Sequence, residues 1–172
     1  MIIVNTGNGK GKTTAAIGQV VRALGHNLRV CIIQLFKGDS FYGEQNILRN
    51  LDGLDFFSFA KEHPNFNHNL GLGVILKQCL EALDKIREII KENKGYDLVV
   101  LEEFNIALRD KFIDIDIFLK LVKELSSHKS KIIITGRGAP QELIDIADLV
   151  TEMKEIKHPY NSGVQAQKGI EY

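Results

Sequence analysis

The sequence predicts an α/β fold, a mostly parallel sheet with helices on both faces, and three observations carry that prediction. Short apolar runs of strand length, rich in Val, Ile or Phe, recur along the chain, each flanked by Gly, Asp or Lys. The stretches between them carry apolar residues at three- and four-residue spacing, the period of a helix with one buried face. The two patterns alternate from end to end, which is the order of strands joined by crossover helices rather than of hairpins.

The first apolar run is 2–5, followed by a glycine-rich loop and a helical stretch over 13–24. Strands are expected at 30–36, 56–59, 98–101, 132–135 and 149–153, and helices at 43–50, 72–91, 115–125 and 140–147. In the longest helix Ile75, Cys79, Leu80, Leu83, Ile86 and Ile90 line one face, and Lys77, Glu81, Asp84, Lys85 and Glu88 cover the other. Two segments fall outside the pattern. Residues 60–71 form a polar loop with His63, His68 and an isolated Phe66, of a length often used for lids and binding loops. Residues 157–172 show little periodicity and no strand.

The 172 residues match one domain on a prior of about 150 residues per domain. With 44% apolar and 26% charged residues the chain can bury enough apolar area to offset ordering entropy, which excludes disorder as its main state. The 22 basic and 22 acidic residues cancel, so no global positive field gathers nucleic acid or an anionic membrane. No apolar run nears the roughly 18 residues of a membrane span, and the first residues lack a secretory signal; a cytoplasmic location is expected. Cys31 and Cys79 lack C-x-x-C spacing and read as two buried thiols packing as small hydrophobes.

Directly after the first strand stands Thr6-Gly7-Asn8-Gly9-Lys10-Gly11-Lys12-Thr13-Thr14, then an amphipathic helix. Strand, glycine-rich loop, Gly-Lys-Thr and helix are the context of a phosphate-binding P-loop. The glycines let the backbone approach phosphate with its N–H groups turned inward, and the helix N-terminus adds partial positive charge. Lys12 would reach phosphate oxygens, and Thr13 would offer its hydroxyl to Mg²⁺. The strict pattern wants glycine at position 6, where Thr6 stands. The second half of such a site is an acid at the end of a buried strand, and Leu98-Val99-Val100-Leu101-Glu102-Glu103 supplies it. Strand alternation puts Glu102 and Glu103 on opposite faces, so that one of them faces the nucleotide. A guanine-reading Asn-Lys-x-Asp is missing, since Asn93-Lys94-Gly95-Tyr96 lacks the acid, and this disfavours a GTPase. On these residues alone an ATPase, a regulatory module and a small-molecule kinase, each cleaving the β–γ bond, stay open.

Taken together, several blocks resemble the P-loop class of ATP:corrinoid adenosyltransferases, which act on cobalamin or its precursor corrinoids. Gly7 to Ala16 is similar to that family's loop, including its Thr before the first glycine. Arg22-Ala23-Leu24-Gly25-His26, Gln34-Leu35-Phe36-Lys37-Gly38, the Tyr96 to Glu103 block, Thr135-Gly136-Arg137-Gly138 and the closing block from Lys157 to Tyr172 follow in the family's order. The resemblance implies a RecA-like P-loop fold and transfer of the 5′-deoxyadenosyl group of ATP to a Co(I) corrinoid, releasing triphosphate. The nucleotide would lie reversed in the loop, with the ribose 5′ carbon toward the cobalt. Triphosphate contacts fall to Gly7, Asn8, Gly9, Lys10, Gly11, Lys12, Thr13 and Thr14, a nucleotide role to Arg22, and a further anion contact to Arg137. Thr13 and Glu103 would serve Mg²⁺ or Mn²⁺, with Glu102 standing where the family usually has the shorter Asp. For Arg22 the physics alone allows a solvated helix arginine equally well.

The resemblance also implies a corrinoid pocket in which aromatic residues push away cobalt's lower ligand, easing reduction from Co(II) to Co(I). This chain has no Trp, so Phe66 is the nearest candidate for that part, and His63 and His68 are unexpected beside it. Two loop histidines without a nearby third ligand do not make a metal site. A flavodoxin-type or other reductant protein and a homodimer are further implications, though the chain begins at its first strand and so lacks the N-terminal extension that some relatives place over a neighbouring subunit's site. If Phe66 blocks the lower face, Phe66→Ala should diminish transfer from enzyme-bound cob(II)alamin plus a reductant; undiminished transfer refutes the role.

Overall fold

The computed structural model describes residues 1–38, 42–59 and 71–172. Among these residues six strands, β1 (Ile2–Thr6), β2 (Val30–Leu35), β3 (Leu54–Phe59), β4 (Leu98–Glu102), β5 (Lys131–Thr135) and β6 (Leu149–Glu152), pair in the order β3-β2-β4-β5-β1-β6. Every neighbouring pair is parallel. The helices are α1 (Lys12–Leu24), α2 (Gly43–Leu48), α3 (Leu72–Glu92), α4 (Phe104–Arg109), α5 (Ile115–Ser127) and α6 (Gln141–Ile146), and a 3₁₀ turn spans Pro159–Ser162.

Period-two geometry splits the strands between two cores. Val30 and Ile32 of β2, with Leu98 and Val100 of β4, pack with Ala16, Val20 and Ala23 of α1. Their alternates Cys31, Ile33 and Leu35, with Val99 and Leu101, pack on the other side against α3, α4, α5 and α6. Both cysteines are buried, and burial is the first cause that pushes each thiol up to about 12. Helix α5 begins with Asp114, whose carboxylate accepts the Ile117 N–H at 3.0 Å, satisfying one of the free donors of the first turn. No helix among the described residues is long and apolar enough to cross a membrane.

Three details depart from the sequence expectation. Helix α4 has no clear sequence signal, because its six residues follow β4 and the Glu102-Glu103 pair with no turn residue between; the break is set by backbone, Glu103 taking a left-handed φ of 65°. Leu80 is 53% exposed, and the buried face of α3 is completed instead by Ala82 and Ile89. The closing segment gains the 3₁₀ turn, with Pro159 at its start.

Phe104 and Phe118 are both fully buried and stack at 5.6 Å between centroids, joining α4 to α5 beneath the site. Phe118→Ala should therefore cost about 3–5 kcal/mol of unfolding free energy, read from urea denaturation. A loss below about 1 kcal/mol would show that this core can collapse around the gap.

Candidate active site

The loop between β1 and α1 stands at the carboxyl end of the sheet, the edge at which open α/β folds bind ligands. Thr6 closes β1, and its Oγ1 accepts the Ala139 N–H at 3.1 Å. The turn expected of a glycine at position 6 is made one residue later: Gly7 has φ 96°, and a Cβ there would stand 2.4 Å from the Met153 carbonyl oxygen. Gly11 has φ 116° and caps α1, and a Cβ there would meet nothing within 4 Å, so the loop leaves bare backbone on its cleft side. Lys12 lies inside this loop, its Nζ donating to the carbonyls of Gly7 at 2.8 Å and Gly9 at 2.7 Å. Burial holds its pKa below the ordinary lysine value, against the opposing pull of Glu103.

Opposite the loop, Glu102 ends β4 on the α1 side of the sheet, the side that Leu98 and Val100 share. It is 2% exposed. Its Oε1 accepts hydrogen bonds from the Thr13 hydroxyl and from Lys37 Nζ at 3.0 Å, and its Oε2 accepts one from Thr135 of β5. Lys37 Nζ also donates to Thr13 Oγ1 at 2.9 Å. Glu103 leaves the strand pattern: its N–H donates to Thr135 Oγ1 at 3.0 Å, and its carboxylate lines the cleft with Oε2 buried and without a hydrogen-bond partner among the described residues. Burial first, and the neighbouring Glu102 second, push its pKa from 4.5 up to about 7. The left-handed turn, not strand alternation, thus brings the second acid to the same end of the site.

Lys12, Thr13, Lys37 and Glu103 border a cavity of about 680 Å³. Of the residues assigned by sequence, Gly9, Lys10, Gly11, Lys12, Thr13, Thr14, Glu103 and Arg137 line it. Gly7 and Asn8 form the back of the loop, and Glu102 lies beneath Thr13 and Lys37. Arg22 is not brought to the cleft. It sits exposed on the last turn of α1, roughly 15 Å along the helix from Lys12, donating to Gln19 at 3.1 Å where its charge complements the helix dipole. Phe66, His63 and His68 fall outside the described residues.

Sequence reasoning assigned no role to Lys37, Tyr42, Glu44 or Ile106, all of which border the cavity. Lys37 had one legible signal, a lysine just past the carboxyl end of a buried strand, where parallel sheets place ligand-binding groups. The closing segment supplies a wall through His158 and Gly169 to Tyr172, and Lys10 Nζ ties that wall to the loop by bonding Ile170 O at 2.5 Å and Glu171 Oε1 at 2.9 Å.

The donor set fits a hard divalent cation such as Mg²⁺, which takes one or two carboxylates with the remaining positions left to phosphate and water. Thr13 Oγ1 and Glu102 Oε1 already share one cation, the Lys37 ammonium, and Glu103 adds a buried oxygen with no partner among the described residues. Among the described residues no group of three or more His, Cys, Asp or Glu side chains is placed to hold a metal on its own.

The whole chain, residues 1–172, matches the profile of the family described as ATP:corrinoid adenosyltransferase BtuR/CobO/CobP. It is 36% identical over 174 residues to a corrinoid adenosyltransferase of Sinorhizobium sp, covering 100% of this chain and 80% of that protein. It is 34% identical to the corrinoid adenosyltransferase of Escherichia coli K12, covering 100% and 85%. Among solved structures, flagellar accessory protein FlaH from Methanocaldococcus jannaschii superposes with a TM-score of 0.58 over 88% of this chain and 69% of that one, at 17% identity, a likeness of fold.

The raised Glu103 pKa has a signed consequence. In the unfolded chain this carboxyl ionises from about pH 4.5, whereas folded it stays protonated to about 7, so stability falls as pH rises through that window. Glu103→Gln removes the fall. In chelator, the variant's unfolding free energy minus that of the wild type should rise between about pH 5 and about pH 8; a flat difference contradicts the burial argument.

Proposed function

The chain belongs to the ATP:corrinoid adenosyltransferase family, and we propose that its cleft performs that family's reaction with the residue roles that follow. The reaction is ATP-dependent adenosylation of a corrinoid. The lone pair of the Co(I) substrate forms the cobalt–carbon bond at the ribose 5′ carbon, the C5′–O bond breaks, and its electron pair leaves on triphosphate. No protein base takes part. The protein's work is to hold two reactants in line, worth up to about 7–11 kcal/mol in well-aligned systems, and to stabilise charge on the leaving group.

Lys12 is the residue we assign to that charge, and the observation that carries the assignment is its desolvated ammonium, seated on loop carbonyls that an incoming anion would replace. The bare amide side of Gly11 and the guanidinium of Arg137 border the same cavity and support a polyanion there. Thr13, Glu103 and Glu102 would hold Mg²⁺ or Mn²⁺; the ion when bound neutralises phosphate oxygens. We read residues 1–172 as one catalytic domain acting in the cytoplasm, supplied with electrons by a reductant protein, as a homodimer. Phe66 keeps its assignment to the corrinoid's lower face. Arg22, placed away from the cleft, gains no support from the geometry for a nucleotide role. Readings in which the β–γ bond of ATP is cleaved are not favoured, because the family transfers carbon rather than phosphorus.

Lys12→Ala should lower the transfer rate by about 10²–10³-fold, the cost of removing one charge-stabilising donor. Folding should be little affected, within about 1 kcal/mol, since the side chain serves a loop rather than a core. Appearance of the organocobalt chromophore together with inorganic triphosphate measures the rate. ADP in place of triphosphate from the wild type would overturn the reaction, and full activity in the variant would overturn the site.

A further inference from the structure

Among the described residues, the hydrogen bonds and ion pairs of the Lys37 ammonium all run to the acid side of the site. The residue is 8% exposed, and its Nζ lies 3.0 Å from Glu102 Oε1, 2.9 Å from Thr13 Oγ1 and 3.9 Å from Glu44, with the Tyr42 ring 5.0 Å away. It is aimed there by its backbone: Phe36, just past β2, takes a left-handed φ of 59°, and the Lys37 carbonyl is held by the Ser58 hydroxyl at 3.3 Å. Its ammonium therefore occupies the space between the two oxygens that would otherwise be shared by a divalent cation.

Two cations cannot share that space, because like charges within a few ångströms repel strongly in a low-dielectric pocket. A buried ammonium removed from its carboxylate must also find another anion, since leaving it unpaired is costly. Of the other two cleft lysines, Lys12 rests on loop carbonyls and Lys10 on the closing segment, while Arg137 borders the cavity as a further anion contact. Lys37 borders the same cavity as the loop, so the anion within its reach is the nucleotide's polyphosphate. We propose that Lys37 is an internal stand-in for the divalent cation, holding Thr13 and Glu102 in place while the site is empty and transferring its ammonium to the triphosphate when the metal–nucleotide complex arrives. It then serves as a second lysine on the leaving group. The inference rests on the adenosyltransferase reading of this cleft and adds a residue and an exchange to it.

The exchange predicts opposite signs for two affinities, which a structural role does not. Lys37→Met removes a competitor for the metal oxygens, so Mn²⁺ binding without nucleotide, followed by its paramagnetic resonance signal, should tighten by about three- to tenfold. The same variant loses a charged donor to the product, so binding of tripolyphosphate with Mg²⁺, measured by calorimetry, should weaken by about tenfold or more. Lys37→Arg should keep most of the triphosphate affinity. If both affinities fall together in Lys37→Met, the lysine merely supports the fold, and if triphosphate binding is unchanged its ammonium does not move to the leaving group; either result overturns the proposal. Should Lys37→Met fail to fold by urea denaturation, Lys37→Gln is held to the same two signs. Failure of the wild type to bind Mg²⁺ with tripolyphosphate would instead remove the underlying reading, and this inference with it.

Discussion

Three side chains from three separate elements converge on the Glu102 carboxylate: Thr13 from α1, Thr135 from β5 and Lys37 from the segment after β2. The sheet order makes this convergence necessary. β5 stands between β1, which delivers the phosphate loop, and β4, which delivers the acids, so the two halves of the site are separated by two strand spacings, about 9–10 Å. Strand pairing alone cannot join them. Helix α1 leans across from one side with Thr13, and the inserted strand contributes Thr135, whose hydroxyl also accepts the Glu103 N–H and so fixes the turn that presents the second acid. A carboxylate this deep would be costly without such partners, and with them it ties the loop, the acids and the inserted strand together.

Other polar groups around this convergence are likewise held by their neighbours. Lys12 rests on carbonyls of its own loop, Lys37 rests between Thr13 and Glu102, and Asn105 of α4, wholly buried, donates to the Asn5 carbonyl at 3.3 Å and the Gly136 carbonyl at 2.9 Å. Asn105 thereby links the strand leading into the phosphate loop to the turn that carries Arg137. Among the described residues Glu103 Oε2 and Asn105 Oδ1 are buried without partners, and both residues flank Gly136, where a Cβ would come within 3.0 Å of Asn105 and 3.2 Å of Glu103. Both atoms thus lie where the acids meet the Arg137 turn.

Much of this architecture was legible in the chain because it rests on local signals. Apolar runs in Val and Ile mark β2, β4 and β5, heptad-like spacing marks α3 and α5, and the glycine-lysine string marks the phosphate loop. What stayed hidden depends on backbone reversals at residues with side chains. Glu103 and Phe36 both take left-handed φ values without being glycine, and each redirects the residues that matter: the first ends β4 early and starts α4, the second aims Lys37 inward. No composition or periodicity announces such a turn. Leu80 was misplaced for a simpler reason, since at a helix boundary stripe one position of rotation, about 100°, separates buried Cys79 from solvent. The wall formed by Gly169 to Tyr172 has no periodic signal, and only likeness to a known family pointed to its importance.

The two buried thiols, Cys31 on β2 and Cys79 on α3, have a practical bearing on studying the enzyme. Cys31 and Cys79 are the chain's only cysteines, and with both thiols held near 12 neither carries appreciable thiolate at neutral pH. Burial and the scarcity of thiolate both slow their reaction with a sulfhydryl reagent from solvent. A single cysteine engineered on the surface would accordingly be the sole reactive handle on the native protein, giving clean single-site attachment of a fluorophore or spin label without first stripping the natural sulfurs from the core.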